Sequence, residues 1–212
     1  MPRWPEASSS TRRGARGVTH NTDRVPMNFR FCPQCTTALE AQLHGRQQRA
    51  VCPACGYVHY RNPTVGVAVV VLQEKSILLG RRSAASSYGG MWCIPCGHVE
   101  WDEEIRAAAT REFHEETGLE VRLGEVVAVH SNFHAPRRQT VGVWFRGYPT
   151  GGTLRAGDDL DQVAYFPLDA PPELAFPTDQ LVLTQLMTAH AANQPVRGTP
   201  DGADHHQPPP RQ

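Results

Sequence analysis

Gly97-His-Val-Glu-Trp-Asp-Glu103-Glu-Ile-Arg-Ala-Ala-Ala-Thr-Arg111-Glu112-Phe113-His-Glu115-Glu116-Thr-Gly118-Leu119 is the stretch from which the rest of the chain can be read. Asp102 stands where an N-cap is expected, Glu103 and Glu104 suit a first turn, and Gly118 suits a left-handed stop after Thr117. In such a helix Glu112, Glu115 and Glu116 fall within about 100° of one another on one face. Three carboxylates so close repel unless cations bind between them. A hard divalent ion takes oxygen ligands and holds phosphate oxygens on its open sides, so this face suits a diphosphate. Arg111 lies four residues before Glu115 and can pair with it. Ile105, Ala109 and Phe113 form an apolar stripe beside the acids, which anchors the helix to a sheet.

Strand patterns lie on both sides of this helix. Residues 64–72 are apolar and β-branched, a buried strand, and residues 76–81 follow it after a turn. Strand patterns return at 121–130, 140–147 and 163–166, and a last helix is expected over 178–190. Strands mixed with helices at two points indicate an α/β layered domain. Residues 1–26 and 191–212 are rich in polar residues, Pro and Gly without a period, so both are expected to be disordered; Met27 is a candidate true start. The expected division is therefore a ribbon over 27–60 and a larger domain over 61–190.

With 212 residues the chain has room for one domain and a small appendage. Hydrophobic residues at 40% and charged residues at 20% permit a real core. The apolar run at 65–72 is far short of the roughly 18 residues that a membrane helix needs, and an N-terminal apolar leader is lacking, so no membrane partner is expected and a cytoplasmic protein is the default. Net charge is zero, yet residues 27–190 hold 14 basic and 17 acidic residues, seven of the acids between Glu100 and Glu116. A general nucleic-acid surface would carry the opposite excess.

Cys32-Pro-Gln-Cys35 and Cys52-Pro-Ala-Cys55 are two C-x2-C knuckles whose spacing fits a four-thiolate zinc site. Four protein ligands leave no open position, so this zinc is structural. Such ribbons can bind nucleic acid, and Arg30, Arg46 and Arg49 are the cations available for it. Three cations are also what a solvated ribbon carries, and nucleic acid is not taken as the partner. Cys93 and Cys96 form a third C-x2-C pair, read as buried small residues in a strand ahead of the carboxylate helix rather than as a redox pair.

From Gly97 to Leu119 the chain matches G-x5-E-x7-R-E-U-x-E-E-x-G-U, with U a bulky apolar residue, at every specified position. Seven identities at roughly 7% each make a chance match on the order of one in a billion per window. The chain therefore resembles the Nudix hydrolase superfamily, and its four cysteines make it similar to the subgroup with an N-terminal zinc ribbon. The resemblance implies an α/β/α sandwich around a mixed sheet. It implies hydrolysis of a nucleoside diphosphate linked to another moiety, with magnesium or manganese held by Glu112, Glu115, Glu116 and the Gly97 carbonyl. Arg111 would orient the glutamates and Glu103 would brace loop and helix. A further acidic ligand is expected just before the strand at 163–166; Asp159 is the candidate, with Asp158 and Asp161 as alternatives. All box glutamates are present, which favours an enzyme over a nucleotide sensor.

Substrate choice must come from outside the box. NADH pyrophosphatases of this subgroup carry a Ser-Gln-Pro-Trp signature, where this chain has Ser131-Asn-Phe-His-Ala-Pro136. ADP-ribose or FAD is therefore expected before NADH, with Phe133, His134 and Arg137 as candidate substrate contacts. The expected partner is a small nucleotide substrate, and a homodimer is left open.

Overall fold

The computed structural model describes residues 29–135 and 138–192, which fall into two compact units that divide between Arg61 and Asn62. The first is a three-stranded antiparallel sheet of β1 (Glu40–His44), β2 (Gln47–Val51) and β3 (Val58–His59). Its core is only Cys32, Leu39, Ala50 and Cys52, with Tyr57 packed against them. So small an apolar core cannot hold a fold without a staple.

The second unit is built on β4 (Thr64–Gln73), β5 (Ser76–Arg82), β6 (Trp92–Cys93), β7 (Cys96–His98), α1 (Ile105–Thr117), β8 (Leu119–Ala135), β9 (Arg138–Gly152), β10 (Leu160–Pro167) and α2 (Pro177–Ala192). The sheet order is β10-β5-β4-β9-β8, with β6 on β5 and β7 on β4; β4 and β9 run parallel and the other pairs antiparallel, so the sheet is mixed. Val67, Val69 and Val71 of β4 join Ala108, Ala109 and Phe113 of α1 in one cluster. Ala68 and Val70 join Val182 and Leu183 of α2 in another. One helix therefore covers each face, an α/β/α sandwich, and β4 reads as an unbroken apolar run because both its faces are buried. Phe113 is 0% exposed, and its loss would cost roughly 3–5 kcal/mol.

The β4–β5 hairpin pairs only at Leu72↔Ile77 and Gln73↔Ser76, beyond which the two strands diverge. β6 and β7 fill that opening, and the Pro95 carbonyl between them accepts from Val69 N at 3.0 Å. Everything that α1 presents to β7 depends on this split.

Three expectations are corrected. Asp102 does not cap α1: it lies in the preceding turn at φ 65°, and Glu104 is the N-cap, accepting from Arg106 N at 2.8 Å and Ala107 N at 3.0 Å. Glu103 and Glu104 thus precede the first turn, and Glu103 is freed to turn back toward Arg111. The strands after α1 run longer than their alternation suggests, because register breaks in the β8–β9 ladder shift the phase of the pattern. α2 continues to Ala192, past the expected start of the C-terminal tail. The expectations for residues 1–26 and 193–212 lie outside the described residues. Gly118 ends α1 as expected, with φ 67° and its N–H on the His114 carbonyl at 2.8 Å.

Candidate active site

α1 lies beside β7, and the acids of its C-terminal half meet the outer edge of that strand. Cys96 N donates to Glu116 Oε2 at 2.7 Å and His98 N donates to Glu112 Oε1 at 3.2 Å. The Glu112 carboxylate fills the space that a Cβ on Gly97 would occupy, so a larger residue at 97 would displace that carboxylate. Arg111 is the cation among the acids. Its Nε and Nη2 each lie 2.8 Å from Glu103, and its Nη1 lies 3.0 Å from Glu112 and 2.9 Å from Glu115. These bonds, with the Glu100 N–H as a further donor at 3.1 Å, hold the Glu103 carboxyl down to about 2 and raise the Arg111 guanidinium. Glu103 thereby ties the loop to the helix.

Glu116 is 1% exposed. Burial, then the neighbouring Cys93 and Asp159, push its carboxyl well above the usual range, against the pull of the Cys96 N–H. A charge that costly to hold in the free protein is one that a cation would stabilise. Asp159 approaches from the turn before β10. Its Oδ2 accepts from Arg82 Nη2 at 2.7 Å, and its Oδ1 is buried with no partner among the described residues. Asp161 instead pairs with Arg81 on the exposed side at 2.7 Å, and Asp158 sits in the turn at φ 49°. Of the three candidate acids, Asp159 is the one beside Glu116.

The Gly97 carbonyl does not fit the ligand role expected of it. Val69 N bonds the Pro95 carbonyl and Val99 N bonds the Val65 carbonyl, so by antiparallel alternation Gly97 and Val67 between them also form a bonded pair. The Gly97 carbonyl therefore points into the sheet. The outward carbonyls of β7 belong to Cys96 and His98, and the latter already accepts from Arg111 Nη2 at 3.3 Å. Cys96 is left as the backbone oxygen facing the carboxylates. Cys93 is 0% exposed among Leu160 and Ala175, as expected, whereas Cys96 is half-buried against them, and the pair is divided between β6 and β7 rather than lying in one strand.

Arg82 was not legible as a site residue. It stands 77 positions from Asp159, and no local signal links the two; the β5–β10 register Leu160↔Arg82 does. Phe133 lies on β8 and is 71% exposed. The His134 side chain and Arg137 lie outside the described residues.

In the first unit both knuckles close alike: Thr36 N returns to the Cys32 carbonyl at 2.9 Å and Gly56 N to the Cys52 carbonyl at 3.0 Å. The four cysteine sulfurs lie within 4.8 Å of one another, with contacts of 3.4 to 3.6 Å. A tetrahedral ion with bonds of about 2.3 Å needs sulfurs about 3.8 Å apart, so the cluster suits zinc.

The second unit is thus a mixed sheet between two helices, with a box of carboxylates on the edge of an inserted strand. A family model described as the NUDIX domain matches residues 62–186, and one described as Nudix N-terminal matches residues 30–61. The chain belongs to the Nudix hydrolase family, in the group with an N-terminal zinc ribbon. It is 32% identical over 127 residues to the ADP-ribose pyrophosphatase of Methanocaldococcus jannaschii, covering 59% of this chain and 75% of that one. It is 28% identical over 165 residues to the NAD-capped RNA hydrolase NudC of Pseudomonas aeruginosa, covering 78% of this chain and only 56% of NudC. The crystal structure of a NUDIX hydrolase from Nitrosomonas europaea superposes with a TM-score of 0.68 at 29% identity, covering 79% of this chain and 95% of that one.

Proposed function

We propose that this chain hydrolyses a nucleoside diphosphate joined to another moiety, of the ADP-ribose or FAD type, by attack of water on a diphosphate phosphorus. The observation that carries the reading is the convergence of Glu112 and Glu116 on the outer edge of β7, with the buried Asp159 carboxylate beside Glu116 and no donor to its Oδ1 among the described residues. Glu112, Glu115, Glu116, Asp159 and the Cys96 carbonyl would hold magnesium or manganese, which when bound neutralises the diphosphate and activates a water. Arg111 keeps the carboxylates in place before the ion arrives, and Glu103 fixes Arg111. Arg82 aims Asp159 into the site. Gly97 supplies room for Glu112. Cys32, Cys35, Cys52 and Cys55 hold one structural zinc.

Specificity falls to residues outside the box, with Phe133, His134 and Arg137 among the candidates. The relatives above include an ADP-ribose pyrophosphatase, which supports the first reading. NADH pyrophosphatase activity is the second, supported by the likeness to NudC and weakened by Ser131-Asn-Phe-His where the signature would stand. Measuring kcat/KM on ADP-ribose, FAD and NADH with magnesium and with manganese tests both. ADP-ribose or FAD should be turned over at least as well as NADH. A strong NADH preference overturns the first reading in favour of the second, and turnover of none overturns both.

A further inference from the structure

The zero net charge of the chain is divided at the boundary between its two units. Residues 1–61 hold nine arginines and three acids, whereas residues 62–212 hold twelve basic and eighteen acidic residues, a net +6 against a net −6. Such asymmetry between halves calls for a polyanionic partner of the basic half. Within the ribbon, residues 29–61 hold four arginines against one acid, Glu40. The acidic excess over residues 27–190 argued against nucleic acid, but it belongs to the second unit and hides a basic ribbon.

The ribbon sheet shows where such a partner would lie. Ala50 is buried with Leu39, so by alternation Gln47 and Arg49 of β2 point to the opposite face, joined across the ladder by Gln42 and His44. Tyr60 follows β3 on that face. Its ring lies under the Arg49 guanidinium at 4.6 Å, and its hydroxyl meets His44 Nε2 at 3.3 Å. Arg49 thus takes one side of the ring and His44 its hydroxyl edge, yet Tyr60 stays 50% exposed, which leaves ring surface for another planar group. Arg46 stands at the tip, in the two-residue turn that Gly45 opens at φ 66°. Gln42, His44, Arg46 and Gln47 are all exposed. Glu40 lies at the far end of β1, where its carboxylate accepts from Gln42 Nε2 at 3.3 Å.

We propose that this face of the ribbon binds single-stranded RNA, with a base stacked on Tyr60 and phosphates on Arg46 and Arg49. A single strand offers what the face lacks: phosphates for the guanidinium groups and an open base face for the exposed ring. A duplex keeps its base faces stacked, and an anionic membrane or an acidic peptide would satisfy the arginines alone, so each of these leaves Tyr60 without a role. The amides of Gln42 and Gln47 both donate and accept, which suits a ribose 2′-hydroxyl and selects RNA over DNA.

The test is fluorescence anisotropy of the full chain with a labelled RNA of about 12 nucleotides. Over roughly 50 to 200 mM salt, log affinity should fall with log salt at a slope of about −1.4, the value for two phosphates of a single strand. Arg46→Gln should weaken binding and bring the slope nearer zero by about 0.7. Tyr60→Ala should weaken binding at least about fivefold at an unchanged slope, while Tyr60→Phe keeps the parental affinity, because stacking needs the ring and not the hydroxyl. DNA of the same sequence should bind at least about threefold more weakly. Zinc content and Tm should match the parent in every variant; if Tyr60→Ala melts lower, Arg46→Gln, at an exposed turn, decides alone. No binding by the parent, or parental affinity and slope in Arg46→Gln, overturns the proposal. DNA bound as tightly overturns RNA as the occupant. Vesicles of phosphatidylserine bound more tightly than the RNA, with Tyr60→Ala bound like the parent, would make the face a membrane contact and overturn it as well.

Discussion

Arg82 Nη2 holds Asp159 Oδ2 at 2.7 Å across the β5–β10 ladder and leaves Oδ1 of the same carboxylate buried without a donor among the described residues, next to the Glu116 carboxyl. The Arg82 side chain is only 11% exposed, and its Nε also bonds the Ser87 carbonyl. One guanidinium therefore ties the loop after β5 to the acid before β10. It also offsets part of the negative charge that Asp159 and Glu116 bring together.

If Arg82 acts through Asp159, the two residues must couple. Arg82→Met and Asp159→Asn should each lower kcat at least about tenfold, and the double variant should be little worse than the poorer single one. Full additivity in the cycle would show that Arg82 acts elsewhere.

Glu116→Gln keeps the shape and the acceptor for Cys96 N while removing a buried charge. Without divalent metal its Tm should equal or exceed that of the parent, because burial, with the neighbouring Cys93 and Asp159, disfavours the carboxylate. Metal-dependent turnover should fall by at least about a hundredfold, and the rise in Tm on adding manganese should shrink. A variant with the parental manganese shift would remove Glu116 from the ligand set.

Asp179 gives a pH dependence of defined sign. Burial pushes its carboxyl up to about 7, against the Ile94 N–H at 3.0 Å and the Trp144 Nε1–H, which favour the charged form. Its folded value is thus raised above the ordinary 3.8. Between about pH 4 and 7 the folded chain keeps a proton that the unfolded chain has released, so this contribution is full below pH 4, declines as pH rises, and is gone above 7. At about 1.4 kcal/mol per unit the decline is at most roughly 4 kcal/mol. Urea unfolding of the parent and of Asp179→Asn at pH 5, 6, 7 and 8 isolates it as a difference in slope. Where the carboxylate is charged the variant should also lose about 1 kcal/mol, since its NH2 replaces one of the two oxygens that accept separately from Ile94 N and Trp144 Nε1. Parallel stability curves would show that Asp179 does not change its proton occupancy on folding.

The ribbon should carry one zinc per chain, and chelation should unfold it, because Leu39 and Ala50 are almost all the apolar core it has besides its cysteines. Elemental analysis of the purified protein, then loss of dispersed amide signals from residues 29–61 on chelation, checks this. A ribbon that stays folded without metal would show that the thiols alone suffice.

The sequence by itself determined what depends on near neighbours in the chain. The α1 carboxylate face, the Gly118 stop, the two knuckles and the buried run of β4 are each set by contacts a few residues apart, so spacing and period reveal them. Even there the cap escaped, since Asp102 and Glu104 both suit the position and only the turn at Asp102 selects Glu104. What depended on register was decided by the tertiary structure alone. Whether Gly97 or Cys96 turns its carbonyl toward the acids follows from which β7 residues bond β4, and a one-residue slip would exchange them. Arg82 and Asp159 meet only because separate strands pair in one particular alignment. That alignment is selected by burying both faces of the sheet at once, a property of the whole domain that no short stretch of sequence encodes.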